Sequence, residues 1–167
     1  MSRTATNVVI AGLGGQGVLK ASDILADAAF RAGLDVKKSE IHGMSQRGGA
    51  VASDVRFGRE VLSPMVPPGE ADYLVVLAPD QVEVNRAQLR PGGILISPDL
   101  FGENGLPNRQ SLNVAMLGRL STHLDIGEAD WLAAIRANLP EKWHEANQAA
   151  FAIGRPRRRR KPDSLSG

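Results

Sequence analysis

The chain has 167 residues, 43% of them hydrophobic and only 4% aromatic, enough for one domain with a sizeable core. It contains no cysteine, which excludes disulfides, cysteine-ligated iron–sulfur clusters and cysteine nucleophiles within this sequence. The net charge of +2 is uneven: from Arg155 onward six basic residues stand against one acidic, so that segment carries +5 and residues 1–154 carry −3.

Met1 to Thr6 lead into an apolar run without a secretory h-region, and no stretch of about 18 apolar residues occurs. A cytoplasmic protein with no membrane partner is expected. Asn7 to Gly17 then reads as strand, phosphate loop and helix start. Gly12-x-Gly14-x-x-Gly17, with the additional Gly15, fits the dinucleotide fingerprint: a tight turn, a close backbone approach to a ligand, and close helix–sheet packing. Free N–H groups at the helix start favour an anionic oxygen. The helix carries Val18, Ala21, Leu25, Ala28 and Ala32 on one face and stops at Gly33.

Asp35 to Ile41 predicts a short, polar strand near a sheet edge. Glu40, 23 positions after Gly17, stands where a nicotinamide-binding unit places its ribose-holding carboxylate. His42-Gly-Met-Ser-Gln-Arg-Gly-Gly49 follows and combines imidazole, hydroxyl, amide and guanidinium with three glycines. Such a loop suits wrapping an anion or an acyl group. Val51 to Phe57 alternates and, with Gly58-Arg59 as a type II′ turn, predicts a hairpin onto Glu60 to Leu62.

Asp72 to Ala78 is a nearly continuous apolar run, as a strand buried on both faces requires. Asp80 to Leu89 predicts a short helix ended by Pro91-Gly-Gly93, and Ile94 to Ile96 the next buried strand. Helices are predicted over Ser111 to Leu124, with Ser111 as cap, over Glu128 to Asn138, and over Glu141 to Gly154, with Pro140 between the last two. Trp131 and Trp143 are read as packing these helices onto the sheet. The three histidines, His42, His123 and His144, show no metal-ligand spacing, and no catalytic residue or metal site is assigned.

The fold class is therefore α/β: a three-layer Rossmann-like sandwich with a mainly parallel sheet, an antiparallel edge hairpin and a helical C-terminal third. Residues 1–154 form that domain. Residues 155–167 form a basic tail expected to be disordered; no basic face elsewhere supports nucleic-acid binding.

Gly12-Leu-Gly-Gly-Gln-Gly-Val18, Glu40 to Val51, Leu62-Ser-Pro and Asn147 to Gly154 together resemble the gamma domain of 2-oxoacid:ferredoxin oxidoreductases. The small subunit of indolepyruvate oxidoreductases is the most similar branch. The resemblance implies a subunit, inactive alone, of an enzyme converting an aromatic 2-oxoacid, such as indolepyruvate or phenylglyoxylate, with coenzyme A to acyl-CoA and CO2. It implies thiamine diphosphate, magnesium and [4Fe–4S] clusters on larger thiamine-binding and ferredoxin-like partner subunits, with ferredoxin or another acceptor reached through them. It also implies that coenzyme A binds at Gly12, Gly14, Gly15, Gln16 and Gly17, with His42, Ser45, Gln46 and Arg47 lining the adjoining loop. Relatives usually carry a longer stretch between Asp99 and Asn113, so a sheet edge is expected to be missing or replaced. Two other readings stand beside this one: an independent NAD-binding oxidoreductase using Glu40, and a purely structural subunit whose glycine loop binds nothing.

Overall fold

The structure, a computed structural model, describes residues 5–42, 49–103 and 105–156. In chain order its elements are β1 (Ala5–Leu13), α1 (Val18–Arg31), β2 (Asp35–His42), β3 (Ala50–Gly58), β4 (Ala71–Val76), α2 (Val82–Asn85), β5 (Leu89–Ile96), α3 (Leu112–Ser121), α4 (Glu128–Asn138) and α5 (His144–Gly154). The five strands form one sheet in the order β2-β3-β1-β4-β5. β1, β4 and β5 pair in parallel, whereas β3 runs antiparallel to both β1 and β2. Four strands thus share a direction, and β3 opposes them.

Burial alternates along the strands as the two-residue period demands. Val8 and Ile10 of β1, Val55 and Phe57 of β3, and Val75 of β4 face the larger core with α1, α3, α4 and α5. Val9, Leu74 and Val76 face a smaller cluster with Val66 and Ala71, against which Val82 and Leu89 pack. The three layers are therefore unequal: four helices on one face, the 59–70 segment and the short α2 region on the other.

α1 lies on the sheet through Val18, Ala21, Ile24, Leu25, Ala28 and Ala29, all buried. Its end is a Schellman motif: Gly33, at φ +87°, donates to Phe30, and Leu34 donates to the Ala29 carbonyl.

The antiparallel edge hairpin is present, but between β2 and β3, in register from Asp35 opposite Gly58 to His42 opposite Val51. The hairpin predicted onto residues 60–62 does not form. Alternation in Val51 to Phe57 is satisfied by β1 on one side and β2 on the other, so nothing is left for a third strand. Residues 60–62 instead start a strap across the smaller face. Val61 is buried, donates its N–H to Asp35 Oδ2 at 2.8 Å and accepts from the Lys37 ammonium. Arg56 holds the Ser63 and Met65 carbonyls, Asp54 accepts from the Val66 N–H, and Asn7 donates to the Glu70 carbonyl.

Three further boundaries differ from expectation. The helix predicted over Asp80 to Leu89 is the single turn α2 between two 3-10 turns, Pro79–Gln81 and Arg86–Gln88. β5 begins at Leu89 rather than Ile94; its pairing with β4 jumps from Ala71 opposite Leu89 to Tyr73 opposite Ile94, so residues 90–93 bulge out of the ladder. Before α3, the capping side chain is Asn108, which accepts from the Gln110 N–H, and Ser111 makes no capping bond.

Trp131 is fully buried in the helical core, as expected, but Trp143 is 41% exposed and does not pack onto the sheet. It sits in the 3-10 turn Glu141–Trp143 that precedes α5, outside the helix face that turns inward. Among the described residues no strand follows β5, which is the sheet's second edge.

Candidate functional site

The sheet's strand order reverses between β1 and β4: the chain leaves β1 through α1 toward the β3 side, and leaves β4 toward β5 on the opposite face. In open α/β sheets a crevice opens at the carboxyl ends of two such strands. Here Gln16 fills it. Its Oε1 accepts from the Leu13 N–H at 2.7 Å, and its Nε2 makes a long contact of 3.5 Å to the Leu77 carbonyl. Gly12 has no room for a Cβ, which would stand 2.9 Å from Gln16 Oε1 and 3.1 Å from Leu77 Cβ. Gly12 and Gln16 thus close the turn, and both polar ends of the Gln16 amide are used on backbone.

The ligand-accessible space lies to one side, toward β3. A cleft of about 420 Å³ is lined by Gly14, Gly15, Gly17, Leu19, Lys20 and Val51, among others. The Gly14 N–H donates to the Gly49 carbonyl at 2.8 Å, which ties the glycine loop to the chain entering β3. Gly15 at φ +87° and Gly17 at φ +82° adopt the left-handed backbone that other residues avoid. A Cβ on Gly15 would meet nothing within 4 Å among the described residues.

α1 has no side-chain cap, and its first backbone bond runs from Ala21 to Gly17. The N–H groups of Val18, Leu19 and Lys20 therefore take no acceptor among the described residues. Three donors at the positive end of a 14-residue helix, beside the Lys20 side chain, suit an anionic oxygen.

Asn113, which sequence reasoning missed, holds this end of the site. Its Nδ2 donates to the Gly17 carbonyl at 3.2 Å, across 96 positions of sequence, while its Oδ1 accepts from the Val114 N–H at 2.9 Å. A Cβ on Gly17 would stand 2.5 Å from that same Nδ2. The only local signal was an asparagine at the start of a helix, which reads as ordinary capping.

Of the second motif, His42 ends β2 opposite Val51. Ser45, Gln46 and Arg47 lie outside the described residues.

Glu40 is placed differently from a ribose-binding carboxylate. β3 stands between β2 and β1, so Glu40 is two strand spacings, about 9–10 Å, from the strand that leads into the glycine loop. It pairs with Lys38 at 3.1 Å, and Lys38 also pairs with Asp23 of α1. Burial opposes the Lys38 charge, but hydrogen bonds to Asp23 and Glu40 outweigh it and hold its pKa above the ordinary lysine value. This cluster fastens α1 to the sheet edge.

Residues 7–107 match the family model described as pyruvate ferredoxin/flavodoxin oxidoreductase. The chain belongs to that family. Within it the chain is of the gamma-subunit type. It is 48% identical to indolepyruvate oxidoreductase subunit IorB of Thermococcus kodakarensis, an alignment covering 89% of this chain and 93% of that one. The alignment spans 188 positions and takes in 89% of this chain, so about 39 of the aligned positions have no counterpart here.

The fold is shared with the gamma subunit of a keto/oxoacid ferredoxin oxidoreductase from Geobacter sulfurreducens, at a TM-score of 0.78 and 23% identity, covering 92% of this chain and 95% of that one. It is also shared with part of a 2-oxoglutarate:ferredoxin oxidoreductase from Magnetococcus marinus solved with 2-oxoglutarate, coenzyme A and succinyl-CoA bound. There the TM-score is 0.76 at 22% identity, and 92% of this chain corresponds to 31% of the longer one.

No helix among the described residues is long and apolar enough to cross a membrane.

Proposed function

We propose that this gamma-type chain serves a cytoplasmic, thiamine-diphosphate-dependent oxidoreductase that converts an aromatic 2-oxoacid and coenzyme A to acyl-CoA and CO2. Its own contribution is to bind the coenzyme's phosphates and to hold the larger subunits together. Residues 1–154 act as one domain with the basic segment 155–167 appended. The observation that carries the reading is the open cleft over Gly14, Gly15 and Gly17, where the first three N–H groups of α1 have no acceptor among the described residues.

Those donors fit a phosphate: they converge without a competing side-chain cap, and among the described residues Gly15 leaves space above the loop. In this reading His42, Ser45, Gln46 and Arg47 add polar contacts to the same anion, and Gln16 braces the glycine loop through its bonds to Leu13 and Leu77. The family resemblance implies clusters, thiamine diphosphate and magnesium on partner subunits, and the absence of cysteine from this sequence is consistent with clusters held elsewhere. Bound coenzyme A supplies the thiol that accepts the acyl group; this chain holds and orients its phosphates.

The test is coenzyme A kinetics of the assembled complex. Arg47→Ala removes charge-assisted hydrogen bonds of about 1.5–3 kcal/mol, so the apparent KM for coenzyme A rises about tenfold to 150-fold. Gly14→Val, which sets a branched side chain in the cleft, raises it too. Unchanged kinetics in both variants, with normal assembly, reduces the chain to a scaffold. Turnover of a 2-oxoacid by the isolated chain with a viologen acceptor overturns the subunit reading.

A further inference from the structure

A second cleft opens on the far side of Asn113. It holds about 170 Å³ between the connection into α3 and the junction of α4 with α5, and it is bordered by Asn108, Gln110, Asn113, Leu139, Trp143 and Asn147, among others. Four side-chain amides and an indole form an unusual lining for a gap between helices. Two of the amides are half used. Asn108 Oδ1 accepts from the Gln110 N–H at 2.9 Å, and Asn147 Nδ2 donates to the Trp143 carbonyl at 2.8 Å. Among the described residues this leaves a donor on Asn108, an acceptor on Asn147 and the whole side-chain amide of Gln110, beside an aromatic ring that is 41% exposed.

Adenine offers acceptor ring nitrogens and an amino group, and side-chain amides, each carrying a donor and an acceptor, read that base. The indole supplies a stacking surface. Lys142, with its ammonium 5.3 Å from the indole centroid, adds positive charge beside the ring. The cleft and the glycine loop meet at one side chain, since Asn113 borders the cleft and donates to the Gly17 carbonyl.

We infer that this cleft takes the adenine ring of coenzyme A, with the phosphates of the same molecule over the glycine loop. The phosphate half of this assignment rests on the proposed function; the base half rests on the cleft alone. Asn113 is then a positioning residue that fixes the loop relative to the base.

The chain has two tryptophans, and Trp131 is fully buried, so quenching of exposed indole emission reports Trp143. The full chain is titrated with coenzyme A, adenosine 3′,5′-bisphosphate, ADP and pantetheine. Coenzyme A and the bisphosphate are expected to quench saturably, and pantetheine is not. Trp143→Leu abolishes the quenching while Trp131 emission stays unchanged. Asn108→Asp keeps the capping oxygen but replaces the donor, and weakens the bisphosphate about fivefold to tenfold at unchanged thermal stability.

Absence of quenching by coenzyme A and by the bisphosphate, or equal affinity in Asn108→Asp, overturns the inference. ADP binding more tightly than coenzyme A overturns its assignment to the coenzyme. The two readings fail separately. If the loop does not hold the phosphates, the bisphosphate still quenches Trp143 while the coenzyme A KM of the complex ignores Arg47→Ala. If the base is elsewhere, that KM responds and Trp143 stays silent.

Discussion

A Cβ on Gly118 would stand 2.2 Å from the Phe151 carbonyl oxygen, and one on Gly154 would stand 1.8 Å from that of Ala115, so these two glycines let α3 and α5 cross backbone against backbone. The crossing sets where α3 begins, and with it Asn113 and the Gly17 carbonyl it holds. Either glycine changed to alanine must push the helices apart or strain them. Overpacking of this kind costs about 1–3 kcal/mol, and each kcal/mol lowers the melting temperature of a domain this size by about 2–4 °C. Thermal unfolding of Gly118→Ala and Gly154→Ala checks this. A melting temperature equal to the parent's in both would mean that the crossing relaxes without cost.

Gln16 bonds to backbone through both ends of its amide, and its replacement separates a structural role from a ligand contact. Gln16→Leu leaves the Leu13 N–H without its acceptor, a loss of about 0.5–1.5 kcal/mol for a partly buried hydrogen bond. The expected result is a lower denaturant midpoint and faster amide exchange at Leu13, both in the absence of any ligand. Stability equal to the parent's, combined with a raised KM for coenzyme A, would make Gln16 a ligand contact after all.

Much of this was legible in the sequence, and the exceptions share a cause. Asn7 to Gly33 was readable because its signals are local: a β-branched run, glycines at positive φ, a 3.6-residue stripe and a Schellman glycine. The antiparallel edge was foreseen, but its partner was misjudged, because alternation in Val51 to Phe57 is the same whichever strand lies beside it. The strap over residues 59–70 is held by Asp35, Asp54 and Arg56, charged residues that look like a solvated strand face until the chain returns over them. At the site, the strand, glycine turn and helix start were legible. The division of the turn into strut, tether and open floor depends on Leu77, Gly49 and Asn113, none of which is a neighbour in sequence.

Asp54 gives the fold a pH dependence. Burial raises its pKa above the ordinary carboxylate value, against the opposing Val66 N–H and Arg56 charge. An acid whose folded pKa is raised binds more protons folded than unfolded. Stability on this account falls as pH rises, from about 3.9, the usual aspartate value, up to the raised folded pKa. Asp54→Asn keeps an oxygen for the Val66 N–H and removes the titration. The variant is expected to be at least as stable as the parent at neutral pH and to lose that part of the acid-range slope. A steeper decline with pH in Asp54→Asn would assign the slope to another group.

Glu40 provides the sharpest separation of a coenzyme A site from a dinucleotide site. A nicotinamide dinucleotide on the glycine loop needs a carboxylate on the strand next to β1, within reach of the ribose hydroxyls. That neighbour here is β3, and Glu40 lies one strand further out, paired with Lys38 at 3.1 Å. Both partners are about one-third exposed, so their pair is worth at most about 1 kcal/mol. Glu40→Gln is expected to leave the coenzyme A KM of the assembled complex within twofold of the parent, by the affinity scale of about 1.4 kcal/mol per tenfold. Calorimetric titration of the complex with NAD is expected to give no heat of binding at millimolar concentration, with or without the substitution. Saturable NAD binding that is lost in Glu40→Gln would reverse the assignment and make the glycine loop a nicotinamide site.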